Sequence, residues 1–375
     1  MCSASSNEYF AEPSDVIAQF EQIRVMVESE FDVEEGFVEH DVPTFYVRLR
    51  EDSKEAFLRL AKRMDPLSLI PVLRKREEKV VLQAITKPPT RPSRKVINVA
   101  LFLATLGTVL IGGYIQSVLF YSELGITDQS LNLLGALTFA GAIIAILGSH
   151  EMGHKLLADK HEVEATYPYF IPGPPPLGTF GAVIQQKSLP PNRDALFDIG
   201  FAGPLMSFLL SIVMTIIGIV FSSYTWIREG SPTLPVSALF WLIGFIFHPL
   251  GALPKLPTEP GTWVPAISLH PVAFAGWVGM LVTMLNLVPT GMFDGGHVAR
   301  SVVGSRAHRI LSYLGIILLF FIWYPMAIIA LFFSMYRHPG PLDDVSKLTS
   351  RRKLAALGTM AIFVLCVPYP PMFPF

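Results

Sequence analysis

Two histidines flank a glutamate in "LGSHEMGHKLLADKH", residues 147–161, placing His150, Glu151 and His154 within five consecutive positions. On a helix, positions i and i+4 share a face, so both imidazoles reach one ion. The glutamate leans over the same turn without being a ligand. Zinc held there makes a bound water acidic near neutral pH, and Glu151 is placed to take its proton. The pattern is a zinc-hydrolase signature. The alternative is a pair of helical histidines satisfied within a core. The residues just upstream are aliphatic, and ionisable groups at membrane depth are costly, which weighs against that alternative.

A third ligand has a candidate in "TMLNLVPTGMFDGGHVAR", residues 283–300. Asp294 is an acid at the end of an apolar block, and Gly295 and Gly296 let the backbone fold tightly around it. Two histidines and one carboxylate leave a fourth position for water, as a catalytic zinc site requires. Taken alone, the same residues also read as an Asp-Gly-Gly turn capping a helix.

The elements that must carry these groups are membrane elements. Hydrophobic residues make up 51% of the 375-residue chain and charged residues only 16%, against roughly 25% charged in ordinary globular proteins. The mean hydropathy is +0.47, and the apolar residues come in long blocks. This is the composition of an integral membrane protein. A net charge of -1 offers no field for nucleic acid. Cys2 and Cys366, at opposite ends, exclude a disulfide framework or a cysteine metal site.

Residues 1–87 read as a soluble α+β domain. "SDVIAQFEQIRVMVESEF" offers Ser14 as N-cap and Val16, Ile17, Phe20, Ile23 and Val27 at helical spacing. "TFYVRL" alternates as a strand, "SKEAFLRLAKRM" reads as a second helix and "LIPVLRKREEKVVLQAI" as a hairpin. Residues 1–12 lack the basic start and apolar core of a secretory signal. Residues 88–95 form a basic, proline-rich linker whose Arg91, Arg94 and Lys95 place that side of the first span, and the N-terminus, in the cytoplasm.

Residues 96–375 form the membrane domain, with its core at 131–300. Spans are expected at 96–121, 131–147 and 195–221. Further apolar blocks lie at 236–253, 272–288, 310–335 (interrupted at 323–325) and 354–367. If Asp294 meets His150 on one face, block 236–253 cannot be a complete crossing, and it reads as re-entrant or interfacial. The expected fold is an all-α polytopic membrane protein of about six transmembrane helices with a small α+β soluble N-terminal domain.

Between two spans lies "YPYFIPGPPPLGTFGAVIQQKS", too rich in proline for a helix. "TFGAVIQQ" reads as a strand, and Gly178 and Gly181 permit close backbone approach. Its Phe180, Gly181, Ala182 and Val183 are candidates for pairing with an unwound substrate segment by β-addition. The alternative is an ordinary loop hairpin.

HExxH at the end of one span, with Asn286, Pro289 and Asp294-Gly-Gly as N-x-x-P-x-x-x-x-D-G-G at the end of a later one, resembles the site-2 protease family. "GTFGAVIQQKSLPPNRDALFDIGFAGP" is similar to the chloroplast branch of that family, the yellow-green gravitropism-deficient proteases, and to their prokaryotic relatives. The resemblance implies a multi-pass protein of the cell membrane that cuts transmembrane protein substrates inside the lipid bilayer. It implies about one zinc per chain on His150, His154 and Asp294. It also implies Glu151 as general base and Asn286 holding substrate or the oxyanion. Two departures stand out. Gly203-Pro204-Leu205-Met206-Ser207 has serine where the family has asparagine, and His297 follows Asp-Gly-Gly where arginine is frequent. The rivals are a transporter or other metal-binding membrane protein, which has no need of Glu151, and a protease of prenylated proteins, whose third ligand is usually glutamate.

Overall fold

The computed structural model describes residues 13–89, 94–249, 251, 253–258, 260–334 and 338–369. The N-terminal residues 1–12, the side chain of Ser14 and Arg91 of the basic linker, on which expectations above rest, lie outside the described set. The chain forms two compact units, one of Met1–Arg91, Pro191–Arg193 and Pro341–Lys347, the other of Pro92–Pro190, Asp194–Gly340 and Leu348–Phe375.

In the first unit, α1 (Pro13–Glu28), β1 (Asp32–Glu39), β2 (Val42–Arg48), α2 (Ser53–Met64), β3 (Leu69–Arg76) and β4 (Lys79–Thr86) follow in order. The strands form an antiparallel sheet in the order β1-β2-β4-β3. β3 alternates, with Leu69, Pro71 and Leu73 buried and Ile70 and Val72 half-buried, because successive side chains point to opposite faces. α2 buries Ala56, Phe57, Leu60 and Met64 along one stripe, and Ile23 and Val27 of α1 join them over the sheet. Beyond the 1–87 stretch, Leu342 and Val345 pack against this core, and the Leu73 N–H donates to the Leu342 carbonyl at 2.9 Å.

The second unit begins with α3 (Lys95–Glu123) and α4 (Gln129–Lys160), packed along one another. Asp128 caps α4, accepting the Ser130 N–H at 2.8 Å. The hairpin β5 (Tyr169–Pro172) and β6 (Thr179–Val183) follows, antiparallel with Phe170 opposite Ala182. Its tip lies against α3. The Thr108 hydroxyl donates to the Gly178 carbonyl at 2.6 Å. Gly178 has φ +77, and a Cβ there would fall 2.3 Å from the Thr108 carbonyl oxygen. Only glycine satisfies both the conformation and the space.

α5 (Arg193–Phe221), β7 (Ser223–Arg228), β8 (Val236–Ser237), α6 (Ala238–Ile246), β9 (Trp263–Ser268), α7 (Pro271–Leu287), α8 (Asp294–Ile322), α9 (Tyr324–Ser334), α10 (Ser350–Cys366) and β10 (Pro368–Tyr369) complete the chain. β7 pairs with β9 and β8 with β10, so with β5–β6 this unit carries three two-stranded sheets among its helices. A core of Phe240, Ala273, Met280, Met284, Leu319 and Ile362 binds α6, α7, α8 and α10 together. α8 bends at Gly304. The break expected at 323–325 falls between α8 and α9, where Pro325 sits in the first turn of the new helix and forfeits no helical hydrogen bond.

Among the described residues four helices are long and apolar enough to cross a membrane: α3, α4, α5 and α8. α7, with 17 residues, is shorter. α6 has nine residues and at 1.5 Å each reaches only about 14 Å, half of the roughly 30 Å hydrocarbon layer.

Candidate metal centre

The first two groups come from one face of α4. His150 and His154 stand one turn apart, 4% and 6% exposed, with their Nε2 atoms 3.1 Å from each other. α8 brings the third. Asp294 is its first residue, and Oδ2 lies 3.1 Å from His150 Nε2 and 3.3 Å from His154 Nε2. The capping position belongs to Phe293, and no side-chain cap bond forms there. The Asp294 carboxylate is thus turned to the histidines, with the positive end of the α8 dipole behind it.

This donor set suits zinc. Bonds of about 2.0–2.1 Å in a tetrahedron place ligand atoms about 3.3 Å apart, and the three observed separations are 3.1, 3.1 and 3.3 Å. Among the described residues this is the one group of three or more histidine, cysteine or acidic side chains with ligand atoms within 4.8 Å of one another.

α5 closes the back of the site. Gly203 faces His154 so closely that a Cβ there would lie 2.1 Å from Nε2. The helix therefore needs glycine in "GFAGP" for backbone to approach the imidazole. The Ile199 carbonyl accepts from His154 Nδ1 at 2.7 Å. A carbonyl can only accept, so this bond keeps the proton on Nδ1 and leaves the Nε2 lone pair facing inward. Ser207 is 3.1 Å from His150 Nδ1. No amide from α5 stands at this position, and the serine hydroxyl takes the contact with His150 instead.

Glu151 is also buried, at 8% exposure, but it does not join the three converging atoms. Its Oε2 accepts the Ile184 N–H at 2.8 Å. Asn286, near the end of α7, places Nδ2 3.3 Å from His150 Nε2. Phe180, Gly181, Ala182 and Val183 all lie in β6, which Ile184 directly follows. Phe180 is 74% exposed. β6 pairs with β5 on one edge, and among the described residues no third strand takes the other. His297 is engaged elsewhere, with Nδ1 2.7 Å from His338 Nε2. His161 contacts Asp198 at 2.8 Å, and His270 caps α7.

Sequence reasoning missed the contact of Ser207 with His150 and the backbone groups of Ile184 and Ile199. Ser207 carried one signal, its place in the G-P-x-x-N pattern. Backbone donors carry none, since every residue but proline has the same N–H.

The profile of Peptidase family M50 matches residues 138–322, a stretch that contains all of these groups. The chain is 31% identical over 236 residues to the probable zinc metalloprotease EGY1, chloroplastic, of Arabidopsis thaliana, a match covering 58% of this chain and 42% of that one. It is 30% identical over 249 residues to the Arabidopsis thaliana probable zinc metalloprotease EGY2, chloroplastic, covering 61% and 42%. The EGY2 protein of Oryza sativa subsp. indica is 27% identical over 364 residues, covering 88% of this chain and 62% of its own length. The chain thus spans less than two thirds of the length of each of these relatives. No solved structure matches it. An HExxH helix and an Asp-Gly-Gly helix that meet inside the matched stretch leave one conclusion: the chain carries a peptidase family M50 domain, that of the site-2 proteases, and is homologous to the EGY zinc metalloproteases.

Proposed function

We propose that this chain is a zinc-dependent endopeptidase that hydrolyses peptide bonds in or near transmembrane segments of membrane proteins. The observation that carries the reading is the separation of roles on α4. His150 and His154 converge with Asp294 on one point, while the buried Glu151 between them stays out of the ligand set. A transporter or a metal store needs the first arrangement but has no use for the second.

In this reading His150, His154 and Asp294 hold one zinc per chain. Bound zinc supplies Lewis acidity, polarising the scissile carbonyl and acidifying a water. Glu151 takes the proton of the attacking water and passes it to the leaving amine as the C–N bond breaks. Asn286 lies where its amide donates to the carbonyl oxygen as charge builds on it. A helical substrate must unwind before cleavage, because its carbonyls are held in hydrogen bonds. The open edge of β6, at Phe180 to Val183, offers main-chain partners to the unwound segment.

The same reading places the protein in a lipid bilayer as a multi-pass membrane protein with a cytoplasmic N-terminus. Residues 1–87 are its soluble domain, 88–95 the linker and 96–375 the membrane domain with about six crossings. The decisive experiment is Glu151→Gln in the purified full chain. It is expected to keep zinc and fold while cleavage of a helical membrane substrate is abolished. A Glu151→Gln protein that cuts at near the parent rate overturns the reading.

A further inference from the structure

The two imidazoles of the centre are held by unequal means. A carbonyl fixes His154. A hydroxyl stands behind His150, and a hydroxyl can accept or donate, so what matters is where its own proton goes.

Ser207 and Thr283 are both fully buried, on α5 and α7. Thr283 donates to the Gly279 carbonyl at 2.8 Å, which spends its single proton and leaves its oxygen as an acceptor. Ser207 Oγ lies 2.9 Å from Thr283 Oγ1 and 3.1 Å from the Pro204 carbonyl. The Ser207 proton has acceptors on both of those sides. Its oxygen is then free to accept from His150 Nδ1, 3.1 Å away.

We infer that Ser207 and Thr283 are positioning residues for the metal ligand His150, an outer shell that sets its tautomer so that the Nε2 lone pair faces the ion. This rests on the metalloprotease reading above. The proton order runs from His150 Nδ1–H to Ser207 Oγ, from Ser207 O–H to Thr283 Oγ1, the nearer of its two acceptors at 2.9 Å against 3.1 Å for the Pro204 carbonyl, and from Thr283 O–H to the Gly279 carbonyl. Each hydroxyl accepts once and donates once, and the chain ends on a group that can only accept. It also links three helices, α4, α5 and α7, through the ligand. The serine in the asparagine position of G-P-x-x-N is therefore a working part of the site, with Thr283 as its partner.

The test is zinc affinity of the purified full chain, measured by competition with a chromophoric chelator, together with the visible spectrum of the cobalt-substituted protein. Loss of such a partner typically weakens metal binding about 10–100-fold. Ser207→Ala is expected to do so and to shift the cobalt bands, Thr283→Val to act in the same direction, and Ser207→Thr, which keeps the hydroxyl, to bind near the parent level. The zinc-free melting temperature of Ser207→Ala should match the parent, while the stabilisation gained on adding zinc falls. Parent-like affinity and spectrum in Ser207→Ala overturn the inference and leave the protease reading standing. So does a Ser207→Ala protein already destabilised without zinc whose loss of affinity Ser207→Thr shares, since packing and not the hydroxyl then explains the loss. A parent protein that holds no zinc overturns both.

Discussion

The Ile184 N–H donates to Glu151 Oε2 at 2.8 Å, so the residue that follows β6 holds the carboxylate that lies between His150 and His154 on α4. This hydrogen bond ties the end of the strand to the carboxylate. In the proposed mechanism, a substrate segment that pairs with β6 meets a base already tied to that strand. Hydrogen bonds to charged groups contribute about 1.5–3 kcal/mol. Ile184→Pro, which removes this N–H, is expected to lower kcat about 10–100-fold with zinc content unchanged. Ile184→Ala keeps the N–H and serves as the control. Equal kcat in the two variants would show that the contact does not position the base.

His150→Ala, His154→Ala and Asp294→Ala should each deplete the roughly one zinc per chain expected of the parent, read by elemental analysis of the purified protein. Chelation should abolish cleavage and added zinc restore it. Full zinc retention in Asp294→Ala would remove the carboxylate from the ligand set and send the search to other groups near α8.

Gly203→Ala tests the approach of α5. A methyl placed 2.1 Å from His154 Nε2 must push either the helix or the imidazole away. Overpacking of this kind costs about 1–3 kcal/mol, and here the displaced atom is a proposed ligand. Reduced zinc affinity with loss of cleavage is the expected outcome. A Gly203→Ala protein with parent zinc content and activity would mean that the site is looser than the packing indicates.

Topology offers a measurement independent of chemistry. Single cysteines at Ser231 and Thr258, on either side of α6, should be labelled from the same face of the membrane, because nine helical residues reach only about 14 Å. Glu259 itself lies outside the described residues. Labelling from opposite faces would make this block a crossing and would put α7 and Asp294 on the wrong side for His150.

The sequence by itself determined what is local. Histidines at i and i+4 share a helix face whatever surrounds them, so the zinc signature of "HEMGH" needed no tertiary information. The strands β2, β3 and β4 and the helix α2 showed in their periods, and Pro325 marked the break after α8. β1 did not show, because "DVEEGFVE" is an edge strand with mostly solvent-facing, acidic side chains and no apolar alternation. Asp294 was legible as an acid at a helix start, and through its motif as a candidate ligand. That it stands 3.1 Å from a histidine 144 positions earlier was a matter of folding. So was the joining of Leu342 and Val345 to the core of the first unit. The contacts made by the groups packed around the site belong to the tertiary structure. The Ile184 N–H, the Ile199 carbonyl and the Ser207–Thr283 pair are chemically ordinary, and only the packing of α4, α5, α7 and the β5–β6 hairpin sets them at hydrogen-bonding distance.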